Sequence, residues 1–180
     1  NCGIDDLAVL SKISALCNAY SIDTISVGGT IAFAMECYEN GLLTEEDADG
    51  KAIQFGDGAA AIDLVERIAR REGLGDLLAE GSARAAENIG NGAEAFAMHV
   101  KKLELPMHEP RLNRAGALGY MINPHGADHC TNLIDHAYRS SVDNQSLAVG
   151  DAAPLGYAST SFDDIGPRKV ALLKVVQLKR

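Results

Sequence analysis

Asp23-Thr24-Ile25-Ser26-Val27-Gly28-Gly29-Thr30-Ile31-Ala32-Phe33-Ala34-Met35-Glu36-Cys37-Tyr38-Glu39 is the stretch that decides the fold class. Asp23 or Thr24 can cap a helix that runs to about Glu39, because a short side-chain oxygen satisfies the free N–H groups of a first turn. The apolar residues Ile25, Val27, Ile31, Ala32, Phe33, Ala34 and Met35 run nearly all round that helix. A helix apolar on every side belongs in the centre of a core, not on a surface. Gly28 and Gly29 cost it on the order of 1 kcal/mol each relative to alanine, and in exchange allow close approach of a backbone or a ligand. A mainly α, multihelical protein with at most two or three short strands is expected around it.

The flanking sequence supplies the partners. Asp5 and Asp6 open a helix through roughly Ala19, with Leu7, Leu10, Ile13, Leu16 and Cys17 as its apolar stripe. Thr44-Glu45-Glu46-Asp47 reads as a capping box around a short acidic turn. Residues 52–55 are a candidate strand. Asp57 caps a strongly periodic helix from about Gly58 to Arg71, with Ala61, Leu64, Val65 and Ile68 inward and Arg67, Arg70, Arg71 and Glu72 solvated. Shorter helices follow near 75–80 and 82–89, then a helical turn over 94–98. A strand over 99–105 ends at Pro106, and a helix follows over 113–122. The segment after Tyr138 is loop-rich through Gly166, and Pro167 starts a last helix.

Composition narrows the function. With 180 residues, 47% of them apolar, the chain can bury a real core. A net charge of −9 and the absence of Trp argue against nucleic acid or an anionic membrane as main partner. The apolar runs fall short of the ~20 residues of a membrane span. Cys2, Cys17, Cys37 and Cys130 form no Cys-x-x-Cys pair, so they read as free buried thiols of a reducing cytoplasm. A start at Asn1 without Met and an end inside an amphipathic pattern lead us to expect an excerpt of a longer protein.

Chemistry concentrates in Asn123-Pro124-His125-Gly126-Ala127-Asp128-His129-Cys130. If Asn123 caps a helix beginning at Pro124, then His125, His129, Asn132 and His136 share one face. Three uses compete for that face. His125 and His129, with His136 as a further candidate, could share a transition metal, although Gly126 stands where a His-Glu-x-x-His site needs its glutamate. His129 could be a general acid/base titrating near neutral pH, oriented by Asp135 or another acid. Or the polar residues simply cap a helix and line a solvated face. His99 and His108 are expected to be structural or exposed.

Several further stretches carry a resemblance. Asp23-Thr24-Ile25-Ser26, Ile31-Ala32-Phe33-Ala34-Met35-Glu36-Cys37-Tyr38 and Gly75-Asp76-Leu77-Leu78-Ala79-Glu80-Gly81 resemble the aldehyde:ferredoxin oxidoreductases. So do Phe96-Ala97-Met98-His99-Val100-Lys101, Glu104-Leu105-Pro106, Ala117-Leu118-Gly119-Tyr120 and Asn123-Pro124-His125-Gly126-Ala127-Asp128-His129, all in family order. The resemblance implies that residues 1–110 are the helical second domain and 111–180 the opening of the third. It also implies oxidation of a small aldehyde to a carboxylic acid, with ferredoxin as electron acceptor. The implied cofactors are a tungsten (or molybdenum) bis-pterin and a [4Fe–4S] cluster whose ligands lie outside this stretch.

By the same resemblance, Asn18-Ala19-Tyr20-Ser21-Ile22-Asp23 corresponds to a pterin-holding loop of Asp-x-x-Gly-Leu-(Asp/Cys) type. Asn18, Ile22 and Asp23 are then cofactor contacts, with Asn18 in place of Asp, Ser21 in place of Gly and Ile22 in place of Leu. An amide such as Asn18 still bonds to a pterin ring, as donor and acceptor together. His129 matches the family's catalytic proton-transfer histidine, and His125 falls where relatives place a cation near the cofactor. No residue of the chain is expected to ligate the metal. The remaining domains of a parent chain are implied partners, a homo-oligomer is compatible, and the isolated piece is expected to be inactive. Two rivals from other classes stand beside this: a helical interaction module without redox activity, and a mononuclear metal protein using His125 and His129.

Overall fold

The computed structural model of the chain describes residues 1–130 and 166–179. It is mainly helical, with one small two-stranded sheet among the described residues. Two compact units divide it, Asn1–Leu105 and Pro106–Arg180. The loop-rich stretch after Tyr138 lies largely outside the described residues.

In the first unit, α1 (Leu7–Tyr20) starts where Asp6 accepts hydrogen bonds from the N–H groups of Ala8 and Val9 at 2.7 and 3.3 Å. Its expected apolar stripe is only partly buried. Cys17 is sealed, Ile13 and Leu16 pack against the core, and Leu7 is 76% exposed. The helix therefore reaches the core chiefly through its C-terminal half, with Val9 beside Gly58, and none of the described residues covers Leu7.

The central helix forms as the sequence dictates. Asp23 caps α2 (Thr24–Glu39) by accepting from the Ser26 N–H at 2.7 Å. Val27, Thr30, Ile31, Phe33, Ala34, Met35 and Cys37 of this helix are buried. Asn40 closes it, and Gly41 follows at φ +70°. Burial of such side chains stabilises the unit by roughly 1.5–3 kcal/mol apiece for the larger ones.

Against this core pack α3 (Gly58–Arg70), α4 (Leu74–Leu78) and α5 (Ser82–Ile89). Asp57 caps α3 on the Ala60 N–H at 2.9 Å, and Ala61, Leu64, Val65 and Ile68 face inward as the periodicity requires. Arg67 departs from expectation. It is 15% exposed rather than solvated, because its guanidinium turns onto Asp49, with Asp63 at 3.9 Å. Thr44 and Asp47 form the reciprocal cap: the Thr44 N–H donates to Asp47 at 2.8 Å and the Asp47 N–H donates back at 3.3 Å.

Residues 52–55 form no strand; they run without regular structure into a turn at Phe55–Gly56, and only Ile53 is buried. The single strand expected over 99–105 is instead a hairpin. Strand β1 (His99–Val100) pairs antiparallel with β2 (Leu103–Glu104) in the register His99↔Glu104 and Val100↔Leu103. Lys101 and Lys102 make the two-residue turn at φ 54° and 68°. That left-handed pair suits a tight hairpin but is normally taken by Asn-Gly, which is why two lysines inside an apparent strand concealed it. In the second unit, α6 (Arg114–Ile122) packs on α7 (Pro167–Lys179), with Ala115, Tyr120, Leu172 and Leu173 buried.

Helices α3 and α4 approach so closely that a Cβ on Gly75 would run into the backbone carbonyl of Arg67. Backbone cannot yield as a side-chain tip can, so Gly75→Ala is expected to destabilise the unit by about 1–3 kcal/mol. Urea denaturation checks this, and an unchanged midpoint would show that the helices can part at no cost.

Candidate functional site

In the first unit the candidate residues sit where α1 hands over to α2. Ser21 adopts the left-handed conformation at φ 57° and ends α1, and the Ile22 N–H donates to the Cys17 carbonyl at 2.9 Å. This reversal presents Ile22 half-buried and Asp23 exposed at the head of α2. Ile22 and Asp23 line one small cavity of about 110 Å³, together with Ser26, Val27, Thr30 and Glu104. Asn18 stands exposed in the last turn of α1 and is not among the residues lining it. A larger, open hollow of about 540 Å³ elsewhere in the unit contains none of the expected site residues.

Glu104, at the end of β2, was not singled out by its sequence. It is a carboxylate at 4% exposure. Burying such a group is costly unless donors replace the lost water. Its Oε1 accepts from the Ser82 N–H at 2.7 Å, the Ser82 hydroxyl at 2.8 Å and the Thr30 hydroxyl at 3.3 Å. Ser82 is the first residue of α5, so the carboxylate also faces the positive end of that helix. Two glycines make the room. A Cβ on Gly29 would meet the Glu104 Cβ at 3.0 Å, and one on Gly81, at φ +84°, would meet Oε1 at 3.1 Å. The signal in the sequence was an acid in an apolar strand just before Pro106, opposite a Gly-Gly pair in a core helix.

In the second unit the helix expected from Pro124 does not form over the described residues 124–130, which run as turns and bends. Asn123 closes α6 in an extended conformation at φ −65°, ψ 128°, and its Oδ1 accepts from the His125 N–H at 3.0 Å. The Gly126 N–H donates to the Asn123 carbonyl at 3.0 Å, and Gly126 takes φ +87°. Asn123 thus acts as a turn former rather than a helix cap. The shared histidine face is lost: His125 is exposed in the turn, His129 lies half-buried beyond it, and His136 lies outside the described residues.

His129 finds other neighbours. Its ring centroid is 5.0 Å from that of His108, tilted by 41°. Its Nε2 lies 3.9 Å from the Cys130 sulfur, and the Cys130 N–H donates to Asp128 Oδ1 at 2.7 Å. Ligand atoms of Asp128, His129 and Cys130 all fall within 4.8 Å of one another, whereas His125 is not part of that group. Cys130 is exposed, unlike the buried Cys17 and Cys37. Tyr120 is 2% exposed, and burial, reinforced by the Asp128 carboxylate, pushes its phenol up to about 12.

The family model described as aldehyde ferredoxin oxidoreductase, domains 2 and 3, matches residues 1–177. The tungsten-containing aldehyde ferredoxin oxidoreductase of Pyrococcus furiosus is 44% identical over 135 residues, which cover 74% of this chain and 22% of that protein. The aliphatic sulfonate oxidoreductase WOR-like subunit of the same organism is 34% identical over 72% of this chain and 22% of its own length. The active site complex BamBC of benzoyl coenzyme A reductase, solved with 1,5 dienoyl-CoA, shares 34% identity at a TM-score of 0.59 over 67% of this chain and 18% of that one. The chain thus spans about a fifth of the length of the curated relatives it matches. No helix among the described residues is long and apolar enough to cross a membrane.

The raised Tyr120 phenol makes a pH prediction. A folded-state value above the unfolded one near 10 contributes stability that is complete below pH 10 and lost as pH rises toward 12. Tyr120→Phe should remove a tyrosinate absorbance step near pH 12 and flatten the stability loss across that window. A Tyr120→Phe difference titration centred at pH 10 would contradict the burial argument.

Proposed function

The chain belongs to the aldehyde ferredoxin oxidoreductase family, and from that premise we propose that it forms one wall of a tungsten–pterin site that oxidises small aldehydes to carboxylic acids. The observation that carries the reading is the cavity at the head of α2, where Asp23 and the buried Glu104 supply acceptors between apolar walls. A pterin ring presents N–H donors and flat apolar faces, so the residues present fit that group. Tungsten is named in the Pyrococcus furiosus aldehyde ferredoxin oxidoreductase quoted above, with molybdenum as the alternative metal. A [4Fe–4S] cluster held by other parts of a parent chain, and ferredoxin as acceptor, complete the proposal. We place it in the cytoplasm.

When bound, the metal–pterin group supplies the two-electron oxidation: aldehyde and water give carboxylic acid, two protons and two electrons. This chain's residues handle binding and protons. Asp23 has one carboxylate oxygen committed to capping α2, which fixes the side chain and leaves the other oxygen to accept from a ligand. Ile22 packs beside it as an apolar contact. Asn18 is a further contact at the rim, reached only if the ligand extends past the cavity. His129, half-buried against His108, is the group that takes or returns a proton beside the cofactor. His125, exposed in the turn after α6, is read as a further contact near the cofactor. Residues 1–110 are read as the second domain and 111–180 as the opening of the third.

A second reading has one specific observation behind it. Asp128, His129 and Cys130 could together hold a divalent ion, so metal analysis of the purified chain discriminates: near-stoichiometric metal would favour that reading.

In a full-length parent, His129→Ala is expected to lower turnover about 10²-fold while tungsten content stays at the wild-type level. An unchanged rate would remove His129 from the mechanism. The isolated 180-residue chain, assayed with aldehyde and an electron-accepting dye, is expected to show no turnover.

A further inference from the structure

We propose that Glu104 is the acceptor that reads the amino edge of a heterocycle, making the cavity beside it a subsite selective for a 2-amino-4-oxo pyrimidine ring. The inference rests on the reading above, in which this face meets a pterin. It adds a residue, a donor–acceptor polarity and a selectivity to it.

The two oxygens of Glu104 have different occupations. Oε1 is saturated by the Ser82 N–H, the Ser82 hydroxyl and the Thr30 hydroxyl. Oε2 accepts from no group among the described residues; the residue as a whole is 4% exposed and lines the cavity, and this oxygen keeps part of the contact with solvent that remains. A purely structural tie would be served by an amide or a hydroxyl at lower desolvation cost. Instead the fold gives up side chains at Gly29 and Gly81 to seat a carboxylate. The investment makes sense if the second oxygen is meant for a donor that arrives from outside.

The surroundings indicate which donor. Asp23, at the rim, has Oδ2 on the Ser26 N–H and its other oxygen free of hydrogen bonds within the described residues. The cavity contains no lysine, arginine or histidine among its lining residues. Two acid groups without a cation select donors. The intervening walls are Ile22, Val27, Ile68 and Leu78, which suit the faces of a flat ring and not a hydrated ion. The volume of about 110 Å³ is the space of roughly four waters, enough for one ring edge. An exocyclic amine with an adjacent ring N–H presents that edge.

The test uses the cofactor-free full-length parent, titrated with pterin (2-amino-4-oxopteridine) and with lumazine (2,4-dioxopteridine) by fluorescence. Lumazine places an acceptor where pterin places its amine. Wild type should prefer pterin by about tenfold or more, since a site built for a donor rejects the analogue that lacks it. Glu104→Gln keeps an Oε1 for Ser82 and Thr30, so folding and Tm should match wild type. Its amide offers N–H groups in place of Oε2, so the preference should vanish or reverse. Glu104→Leu loses both roles and should lower Tm as well, which separates seating from recognition.

A Glu104→Gln protein that keeps the wild-type preference overturns the proposal, as does a wild type with no preference. The underlying reading is scored separately, by pterin and tungsten in the parent as purified. Cofactor present with no dependence on Glu104 sinks only the present inference. Cofactor absent, with the pterin preference and its loss in Glu104→Gln intact, sinks the earlier reading and leaves this subsite standing.

Discussion

A carboxyl group at 4% exposure has given up most of its water and needs donors from the fold, and Glu104 organises three elements by finding them. Its Oε1 ties β2 to the first turn of α5 through Ser82 and to the middle of α2 through Thr30. The hairpin that carries it turns on two lysines in the left-handed region. Gly29 and Gly81 are the positions at which any side chain would crowd it. The middle of α2, the start of α5 and the cavity between them therefore share one electrostatic anchor. Because burial removes the screening that weakens exposed ion pairs, this polar cluster fixes geometry more firmly than the exposed pairs on α3 and α4.

The same cluster relates the fold to the proposed chemistry. Ile22 and Asp23 are brought to the cavity by a local event, the left-handed Ser21 that ends α1 and lets Asp23 begin α2. Asn18 belongs to the helix before that reversal and stays at its outer side. A ligand held at Asp23 would meet one acceptor already oriented by its capping bond and a second one deep behind it. Such preorganisation is what a redox cofactor site requires from its walls, since the protein's part is to bind, orient and exclude water.

Much of the first unit could be read directly from the chain. Asp6, Asp23 and Asp57 each cap the helix that their position announced. The all-round apolar pattern of α2 placed it in the core, and the inward residues of α3 followed from a 3.6-residue period. What escaped were features set by partners distant in sequence. Arg67 looked solvated because Asp49, which draws it in, lies 18 residues away. Leu7 looked like part of a stripe, yet it is exposed among the described residues. Lys101 and Lys102 hid a turn because propensity disfavours lysine there. Glu104 looked like an ordinary strand acid until Thr30 and Ser82 converged on it. At Asn123 the sequence allowed two outcomes, a cap or a closing turn, and Gly126 at φ +87° decided for the turn. The histidine face that depended on the helix went with it, while the pairing of His129 with His108 had no local signal.

The central claim is that the floor and rim of this cavity receive a pterin ring through Glu104 and Asp23. Its most direct measurement is a density map of the cofactor-loaded parent protein at a resolution that separates ring atoms from water. The account predicts a bicyclic ring against Ile22 and Asp23, with a ring-edge nitrogen within about 3 Å of Glu104 Oε2. A cavity filled by side chains or by water alone, with the pterin seated elsewhere, would contradict it.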